Sequence, residues 1–96
     1  MYKSLSMPEF DELVRKNDKL EILDVREKTE FESGYISNSK SLPLSEFPIS
    51  LDKETTYYVI CHSGVRSSRA CEQLSTEGYD VVNVLGGMSA WRGEVK

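Results

Sequence analysis

Short apolar runs alternate with amphipathic segments along this chain of 96 residues. Runs rich in β-branched or aromatic residues, bounded by turn residues, predict strands. The predicted strands cover 3–5, 20–25, 41–42, 55–61 and 81–85. Segments with apolar residues three or four positions apart, or with helix start and stop signals, predict helices. The predicted helices cover the segment after Ser6, 27–33, 65–77 and a short stretch after Gly86-Gly87 that holds Ala90 and Trp91.

This order of elements predicts an α/β fold. Strands that alternate with helices are joined by right-handed crossovers, so we expect a mainly parallel five-stranded sheet flanked by helices on both faces. The length suits one domain, and no repeat, low-complexity tract or linker divides the chain. We therefore predict a single domain over residues 1–96.

The charge balance and the few Cys and His residues exclude several classes of partner and site. Sixteen acidic and twelve basic residues give a net charge of −4 without a Lys/Arg cluster, so we predict no nucleic-acid partner. No apolar run approaches the roughly 18 residues of a membrane span, and the N-terminus lacks the apolar stretch of a signal peptide. We therefore predict a cytoplasmic protein that does not contact a membrane. One His and two Cys offer no zinc-ligand spacing, so no metal site is predicted.

Cys61 stands where a predicted strand ends and shortly before a predicted helix begins. Backbone N–H groups at a helix N-terminus favour negative charge, and such a setting can lower the pKa of a free Cys from about 8.5 to roughly 3.5–7.5. Gly64 permits a left-handed turn, so the loop can curl into a nest of N–H groups around the sulfur. Ligands of parallel sheets bind beyond the carboxyl ends of the strands, where Cys61, Asp24 and Gly86 all lie. Because the thiolate is the nucleophilic form, we predict that Cys61 is a nucleophile.

The charged residues near this loop leave alternatives open. Arg66 can compensate negative charge at the loop, and a buried Arg needs a carboxylate partner, for which Asp24 and Glu30 are the candidates. Asp24 is interpreted either as a structural hydrogen-bond acceptor at the end of its strand or as a catalytic acid.

The Cys, His and Trp residues also have interpretations without a catalytic role. A lone Cys61 would be typical of a small buried apolar residue, but the Gly, Arg and Ser that follow at fixed offsets favour a functional thiol. Cys71 shares the apolar face of its helix, which predicts packing; the alternative is a resolving thiol, which its separation from Cys61 disfavours. His62 is predicted to face solvent or to contact substrate weakly rather than to act as a general acid or base. Trp91 is predicted to be a core or capping aromatic residue.

Five segments, taken in order, carry a resemblance to a known family. They are Asp24-Val25-Arg26-Glu27, Glu30-Phe31-Glu32-Ser33-Gly34, Leu42-Pro43-Leu44, Cys61-His62-Ser63-Gly64-Val65-Arg66-Ser67 and Gly86-Gly87-Met88-Ser89-Ala90-Trp91. In this order they resemble the rhodanese family of sulfurtransferases, and the chain looks like a stand-alone single rhodanese domain. Two positions depart from the family pattern. Tyr35-Ile36-Ser37-Asn38-Ser39 replaces a run similar to His-Ile-Pro-Gly-Ala, and His62 stands where a basic or polar residue is usual.

The resemblance implies an enzyme that moves a sulfane sulfur from a donor such as thiosulfate to cyanide or a thiol. It implies that Cys61 carries the sulfur as a persulfide, and that no metal or organic cofactor is required. The residues implied to bind the persulfide through the loop are His62, Ser63, Gly64, Val65, Arg66 and Ser67. Asp24, Arg26 and Glu30 are implied to support them. The partners are then a small-molecule sulfur donor and acceptor, with a protein as an alternative sulfur acceptor.

Two other functions compete with this interpretation. Phosphatases and arsenate reductases of the cell-cycle phosphatase kind have a Cys-x5-Arg loop, whereas here four residues separate Cys61 from Arg66. A shorter ring of N–H groups suits a single sulfur better than a tetrahedral phosphate. The second alternative is a persulfide carrier or sensing module, in which Cys61 would hand its sulfur to a protein partner.

Overall fold

The computed structural model describes residues 2–96, which contain a five-stranded sheet. The strands are β1 (Lys3–Leu5), β2 (Ile22–Asp24), β3 (Ser39–Ser41), β4 (Thr56–Ile60) and β5 (Asp80–Val84). The helices are α1 (Met7–Lys16), α2 (Lys28–Glu32), α3 (Val65–Thr76) and α4 (Gly87–Ala90), with a turn of 3-10 helix at Leu44–Glu46. Within residues 2–96, no helix is both long enough and apolar enough to cross a membrane.

All neighbouring strands run parallel, in the order β1-β5-β4-β2-β3. This arrangement confirms the predicted α/β fold with a parallel five-stranded sheet. β4 lies at the centre, between β5 and β2. The loop that follows β4 therefore leaves from the middle of the carboxyl edge, with the ends of β2 and β5 on either side of it.

One face of the sheet packs against α3. Side chains of a strand alternate between its two faces, and Tyr57 and Val59 of β4 both point into this cluster of buried residues. Ala70, Cys71 and Leu74 of α3 pack against them. We call this cluster the α3-side core. It confirms the apolar face predicted for this helix.

The opposite face packs against α1 and α4. Ile60 of β4 and Val84 of β5 point into a second cluster, which we call the α1-side core. Phe10 of α1 is fully buried there, and Trp91 packs edge-on against it with ring centroids 5.9 Å apart. Helices thus cover both faces of the sheet, as the sequence predicts, and Trp91 is a half-buried aromatic residue that packs against the α1-side core.

The start of α1 is determined by its first residues. Ser6 precedes the helix, its Oγ accepts a hydrogen bond from the Glu9 N–H at 3.3 Å, and the Glu9 carboxylate accepts from the Ser6 N–H at 3.1 Å. This reciprocal capping box satisfies two backbone N–H groups at the N-terminus. It confirms Ser6 as the N-cap and turns the chain directly from β1 into α1.

Several predicted boundaries differ from the structure by one or two residues, and two of these differences have a clear physical reason. The third strand begins at Ser39 rather than Ser41; Leu42 still donates to the Asp24 carbonyl at 2.9 Å, but Pro43 has no N–H with which to extend the ladder. The last helix ends at Ala90, and Trp91 is its cap, with an N–H that donates to the Met88 carbonyl at 3.2 Å. The final turn is too short to include Trp91.

Candidate active site

Cys61 directly follows β4, at the centre of the carboxyl edge, and is 1% exposed. The Gly64 N–H donates to its Sγ at 3.1 Å. Gly64 has a φ of 105°, the left-handed region that favours Gly, and it is the N-cap of α3. This turn curls the loop back over the sulfur and starts the helix one residue later. One N–H group of the predicted nest, that of Gly64, therefore reaches the sulfur.

The surroundings of Cys61 act on its pKa in two directions. Burial raises the pKa of the thiol, while hydrogen bonds from the Ser67 side chain and from the N–H groups of Ser67, Gly64 and Ser63 lower it. The hydrogen bonds prevail, so the pKa of Cys61 lies below its ordinary value. A sulfur in this setting is more readily ionised than a typical buried Cys.

The carbonyl groups of the loop are held by the segment after β5. The Met88 N–H donates to the Cys61 carbonyl at 2.7 Å, and the Ser89 N–H donates to the His62 carbonyl at 2.8 Å. A Cβ added to Gly87 would lie 2.4 Å from the Cys61 carbonyl oxygen, so only Gly fits this contact. Because the carbonyls are bound on this side, the N–H groups are free to face the sulfur. The sequence predicted a turn at Gly86-Gly87, but not this contact with the loop.

Arg66 pairs with Glu30 of α2, one of its two predicted partners. Nη1 donates to Oε1 at 2.5 Å and Nη2 to Oε2 at 2.9 Å, the bidentate geometry that guanidinium and carboxylate groups favour. The hydrogen bonds from Arg66 hold the pKa of Glu30 at about 2, despite an opposing effect of burial. The pair joins α2 to the first turn of α3, beside the Cys61 loop.

Asp24, the other candidate partner, binds Arg26 instead. Its carboxylate is fully buried and accepts from Arg26 Nη2 at 2.7 Å, from Nε at 2.9 Å and from the backbone N–H at 3.1 Å. Arg26 Nη2 also donates to the Gly34 carbonyl at 2.8 Å, which attaches the end of α2 to β2. Of the two interpretations of Asp24, this geometry corresponds to the structural acceptor.

The remaining predicted loop residues and the second Cys take different positions. His62, Ser63 and Val65 are exposed, so they face the solvent side of the loop. Cys71 is fully buried in the α3-side core, and burial raises its pKa to about 12. It packs as predicted and stays protonated at neutral pH. Within residues 2–96, no group of three or more His, Cys, Asp or Glu side chains is arranged to hold a metal ion.

Asn83 of β5 is a site residue that the sequence did not indicate. The Ser67 hydroxyl donates to its Oδ1 at 2.6 Å, and the same hydroxyl lies 3.5 Å from Cys61 Sγ. Both polar side chains are buried, with Ser67 0% and Asn83 3% exposed. The available signal was a polar residue within the apolar run of β5, just before the Gly86-Gly87 turn.

Comparisons with known proteins agree with this architecture. The family model described as Rhodanese-like domain matches residues 6–94. YtwF of Bacillus subtilis, whose name places it provisionally among the sulfurtransferases, is 37% identical over 98% of this chain and 94% of its own length. The thiosulfate sulfurtransferase GlpE of Coxiella burnetii is 34% identical over 96% of this chain and 89% of its own. The crystal structure of a rhodanese-like domain protein from Staphylococcus aureus superposes with a TM-score of 0.89 at 37% identity, covering 98% of this chain and 96% of that one.

Proposed function

This chain belongs to the family of rhodanese-like domains, and on that premise we propose that it transfers a sulfane sulfur through a persulfide on Cys61. Sulfur transfer in general is the chemistry of its named relatives. The observation that supports Cys61 most strongly is its buried sulfur, to which Gly64 donates a hydrogen bond and whose pKa is lowered by Ser67 and the loop N–H groups. We propose thiosulfate as a donor because GlpE, at 34% identity, is named for it.

In the first half-reaction the Cys61 thiolate attacks the outer sulfur of the donor. With thiosulfate, a bond forms between Sγ and that sulfur, the sulfur–sulfur bond of the donor breaks, and sulfite leaves with its electron pair. Sγ loses its negative charge when it forms the new bond, the outer sulfur keeps the charge that it carried in thiosulfate, and the additional charge leaves on sulfite. The N–H groups that face the loop centre can stabilise an anion at each stage without reorganising.

In the second half-reaction the acceptor attacks the outer sulfur. With cyanide, a carbon–sulfur bond forms, the sulfur–sulfur bond of the persulfide breaks, and thiocyanate leaves while the Cys61 thiolate is restored. A thiol acceptor takes the sulfur in the same way and becomes a persulfide. No external oxidant or reductant is needed, because one sulfur–sulfur bond is exchanged for another bond to the same sulfur.

The bidentate ion pair of Arg66 distinguishes this proposal from phosphate chemistry. Both nitrogens of its guanidinium that face Glu30 are engaged by that carboxylate, at 2.5 and 2.9 Å. An Arg held in this way is not available to clamp a phosphate bidentately. The loop N–H groups then remain to bind an anion in the site. Such a small ring of donors suits a single sulfur.

The decisive experiment is intact-protein mass spectrometry after thiosulfate treatment. The wild type is expected to gain one sulfur atom, which cyanide then removes. Cys61→Ser should gain none. Cys71→Ser is the matched control, because it replaces the other thiol, in the helix α3 that follows the Cys61 loop, and it should load normally. If the wild type loads, loading on Cys71→Ser and Cys61→Ser alike, or on neither, would contradict a role specific to Cys61.

The acceptor is tested with the loaded protein. Cyanide and small thiols should both remove the sulfur and release the unmodified mass. Loading by thiosulfate followed by slow release to both, but fast release to a protein thiol, would identify a persulfide carrier that acts on a protein partner. Failure to load from thiosulfate, with Cys61 reduced and reactive towards iodoacetamide, would reject that donor and direct the search to persulfide donors.

A further inference from the structure

Asn83 places a buried amide behind the sulfur of Cys61. It lies in β5, in register with Ser4 of β1 on one side and Val59 of β4 on the other. A polar group is costly to bury unless it is hydrogen-bonded, and here the Oδ1 of Asn83 accepts from the Ser67 hydroxyl at 2.6 Å. The amide thus joins β5 to the residue of α3 that also contacts Cys61.

The Ser67 hydroxyl carries a single proton, and several acceptors surround it. Its oxygen lies 2.6 Å from Asn83 Oδ1, 3.1 Å from the Gly64 carbonyl and 3.5 Å from Cys61 Sγ. When Cys61 is a thiol, its S–H can donate to Ser67 Oγ while the Ser67 hydroxyl donates to Asn83 Oδ1. When Cys61 is a thiolate, the charged sulfur competes as an acceptor for the Ser67 hydroxyl. If the hydroxyl turns to donate to Sγ, its hydrogen bond to Asn83 Oδ1 is lost.

Loading with sulfur changes this competition again. In the persulfide the charge resides on the outer sulfur, and Sγ is uncharged. An uncharged Sγ is a weak hydrogen-bond acceptor, so the Ser67 hydroxyl can donate to Asn83 Oδ1 again. The hydrogen bond between Ser67 and Asn83 is therefore compatible with an uncharged Sγ, whether thiol or persulfide, and is lost with a charged one.

We propose that Asn83 is a positioning residue that competes with the Cys61 sulfur for the hydroxyl proton of Ser67 and so favours the forms in which Sγ is uncharged. The consequence for the persulfide rests on the proposed function, whereas the consequence for the free thiol does not. Asn83 limits how far Ser67 can stabilise the thiolate. It therefore raises the equilibrium ratio of sulfur-loaded to free protein. A more basic thiolate is also the stronger nucleophile.

Other charged and titratable groups lie on the elements next to the Cys61 loop and must be held constant in a test. They are Arg66 and Cys71 on α3, Glu30 on α2, Asp24 and Arg26 at the end of β2, and His62 in the loop. A double-mutant cycle on Ser67 and Asn83 keeps all of them the same in every variant, so its coupling isolates the interaction between these two side chains.

The first test measures the rate of iodoacetamide alkylation of Cys61 against pH. All variants carry Cys71→Ser, so that Cys61 is the sole thiol. Asn83→Ala is expected to move the midpoint to lower pH and to reduce the plateau rate about twofold to threefold, because the thiolate becomes less basic. In a Ser67→Ala background the same substitution should change neither. A midpoint that stays or rises, or that moves equally in both backgrounds, overturns the proposal.

A cavity left by Ala could loosen β5, so Asn83→Val serves as the second variant. Val fills the position and suits a strand whose neighbours are Val82 and Val84. It removes the acceptor as Ala does, and it should produce the same shift to lower pH. If Asn83→Ala shifts the midpoint and a folded Asn83→Val does not, the effect is one of packing and the proposal is wrong.

The second test measures sulfur loading at a fixed ratio of thiosulfate to sulfite by intact mass. Asn83→Val should lower the equilibrium ratio of loaded to free protein about threefold to tenfold, the effect of one hydrogen bond. An unchanged or higher ratio contradicts the predicted preference for the loaded form. If the wild type itself takes up no sulfur, the proposed function fails, while the alkylation profile still decides whether Asn83 competes for the proton.

Discussion

At the scale of single residues, the ion pair between Arg66 and Glu30 makes a clear prediction about stability. We expect Glu30→Gln to lower the free energy of unfolding at neutral pH by about 1 kcal/mol or less, because the two side chains are 33% and 37% exposed and solvent screens them. The folded-state pKa of Glu30 is about 2, below its ordinary value of 4.5. The contribution is therefore fully present above the ordinary value and is lost as the pH falls towards 2.

Urea unfolding of the wild type and Glu30→Gln between pH 3 and 7 measures this difference. The gap between the two should be widest near pH 7 and should narrow below about pH 4.5. Glu32→Gln is the matched control, since Glu32 is an exposed carboxylate on the same helix α2. A gap that widens on acidification, or that is equally large for Glu32→Gln, would show that the pair does not act as described.

At the scale of elements, the contact between the Cys61 loop and Gly87 is the most sensitive point of the site. A Cβ at Gly87 would lie 2.4 Å from the Cys61 carbonyl and 2.7 Å from the His62 carbonyl, and φ is +56°. Gly87→Ala should therefore push the loop away from α4 and misplace the N–H groups around Sγ. We expect alkylation of Cys61 at neutral pH to slow by about tenfold to a hundredfold.

Gly78→Ala separates this displacement from backbone strain. Gly78 also has a positive φ, +95°, but a Cβ there would meet only the flexible Lys53 side chain at 3.6 Å. Both substitutions should destabilise the fold by more than about 0.4–1 kcal/mol, because Ala is strained at positive φ. Equal alkylation rates in the two folded variants would show that the contact between Gly87 and the loop does not position the N–H groups around Sγ.

The capping box of α1 belongs to an element on the far side of the sheet from α3. Ser6→Ala should cost about 1 kcal/mol, the usual effect of removing an N-cap side chain, measured by urea unfolding. Cys61 should keep its rate of alkylation, because the side chain of Ser6 is hydrogen-bonded to Glu9 at the start of α1. A slower Cys61 in this variant would reveal coupling through the sheet that the contacts do not explain.

At the scale of the whole molecule, the sequence predicted the fold because each signal was repeated along the chain. The apolar β4 and the α3 face that follows agree with the alternation expected for a parallel sheet. β3 was misplaced because Ser39-Lys40-Ser41 contains no apolar residue. Its strand geometry comes from pairing with β2, which a local pattern does not encode.

The site was predictable in part for a similar reason. Cys61, Gly64 and Arg66 carry local chemical signals within one loop, and so the nest could be anticipated. The choice between Asp24 and Glu30 as the partner of Arg66 depends on how α2 packs beside the loop, and a sequence without tertiary contacts leaves both open. Asn83 was missed because its contact with Ser67 joins residues from β5 and α3 that are adjacent only in the fold.

The two thiols report on different motions of the molecule, which leads to the last prediction. Cys71 is fully buried between α3 and the sheet, and its pKa is about 12. In Cys61→Ser, we expect Cys71 to react with iodoacetamide only when α3 separates from the sheet, so its labelling should follow global unfolding. In Cys71→Ser, Cys61 should react at a rate nearly independent of urea below the transition.

Mass spectrometry of both variants across a urea series measures the two rates directly. The midpoint of Cys71 labelling should coincide with the loss of the helical circular dichroism signal. Cys71 lies in the α3-side core, and that core is expected to unfold cooperatively with the rest of the domain. If Cys71 reacts without urea as fast as Cys61, α3 opens locally at its active-site end. The loop would then be mobile together with its helix, and the hydrogen bonds from Gly64 and Ser67 would hold the sulfur only part of the time.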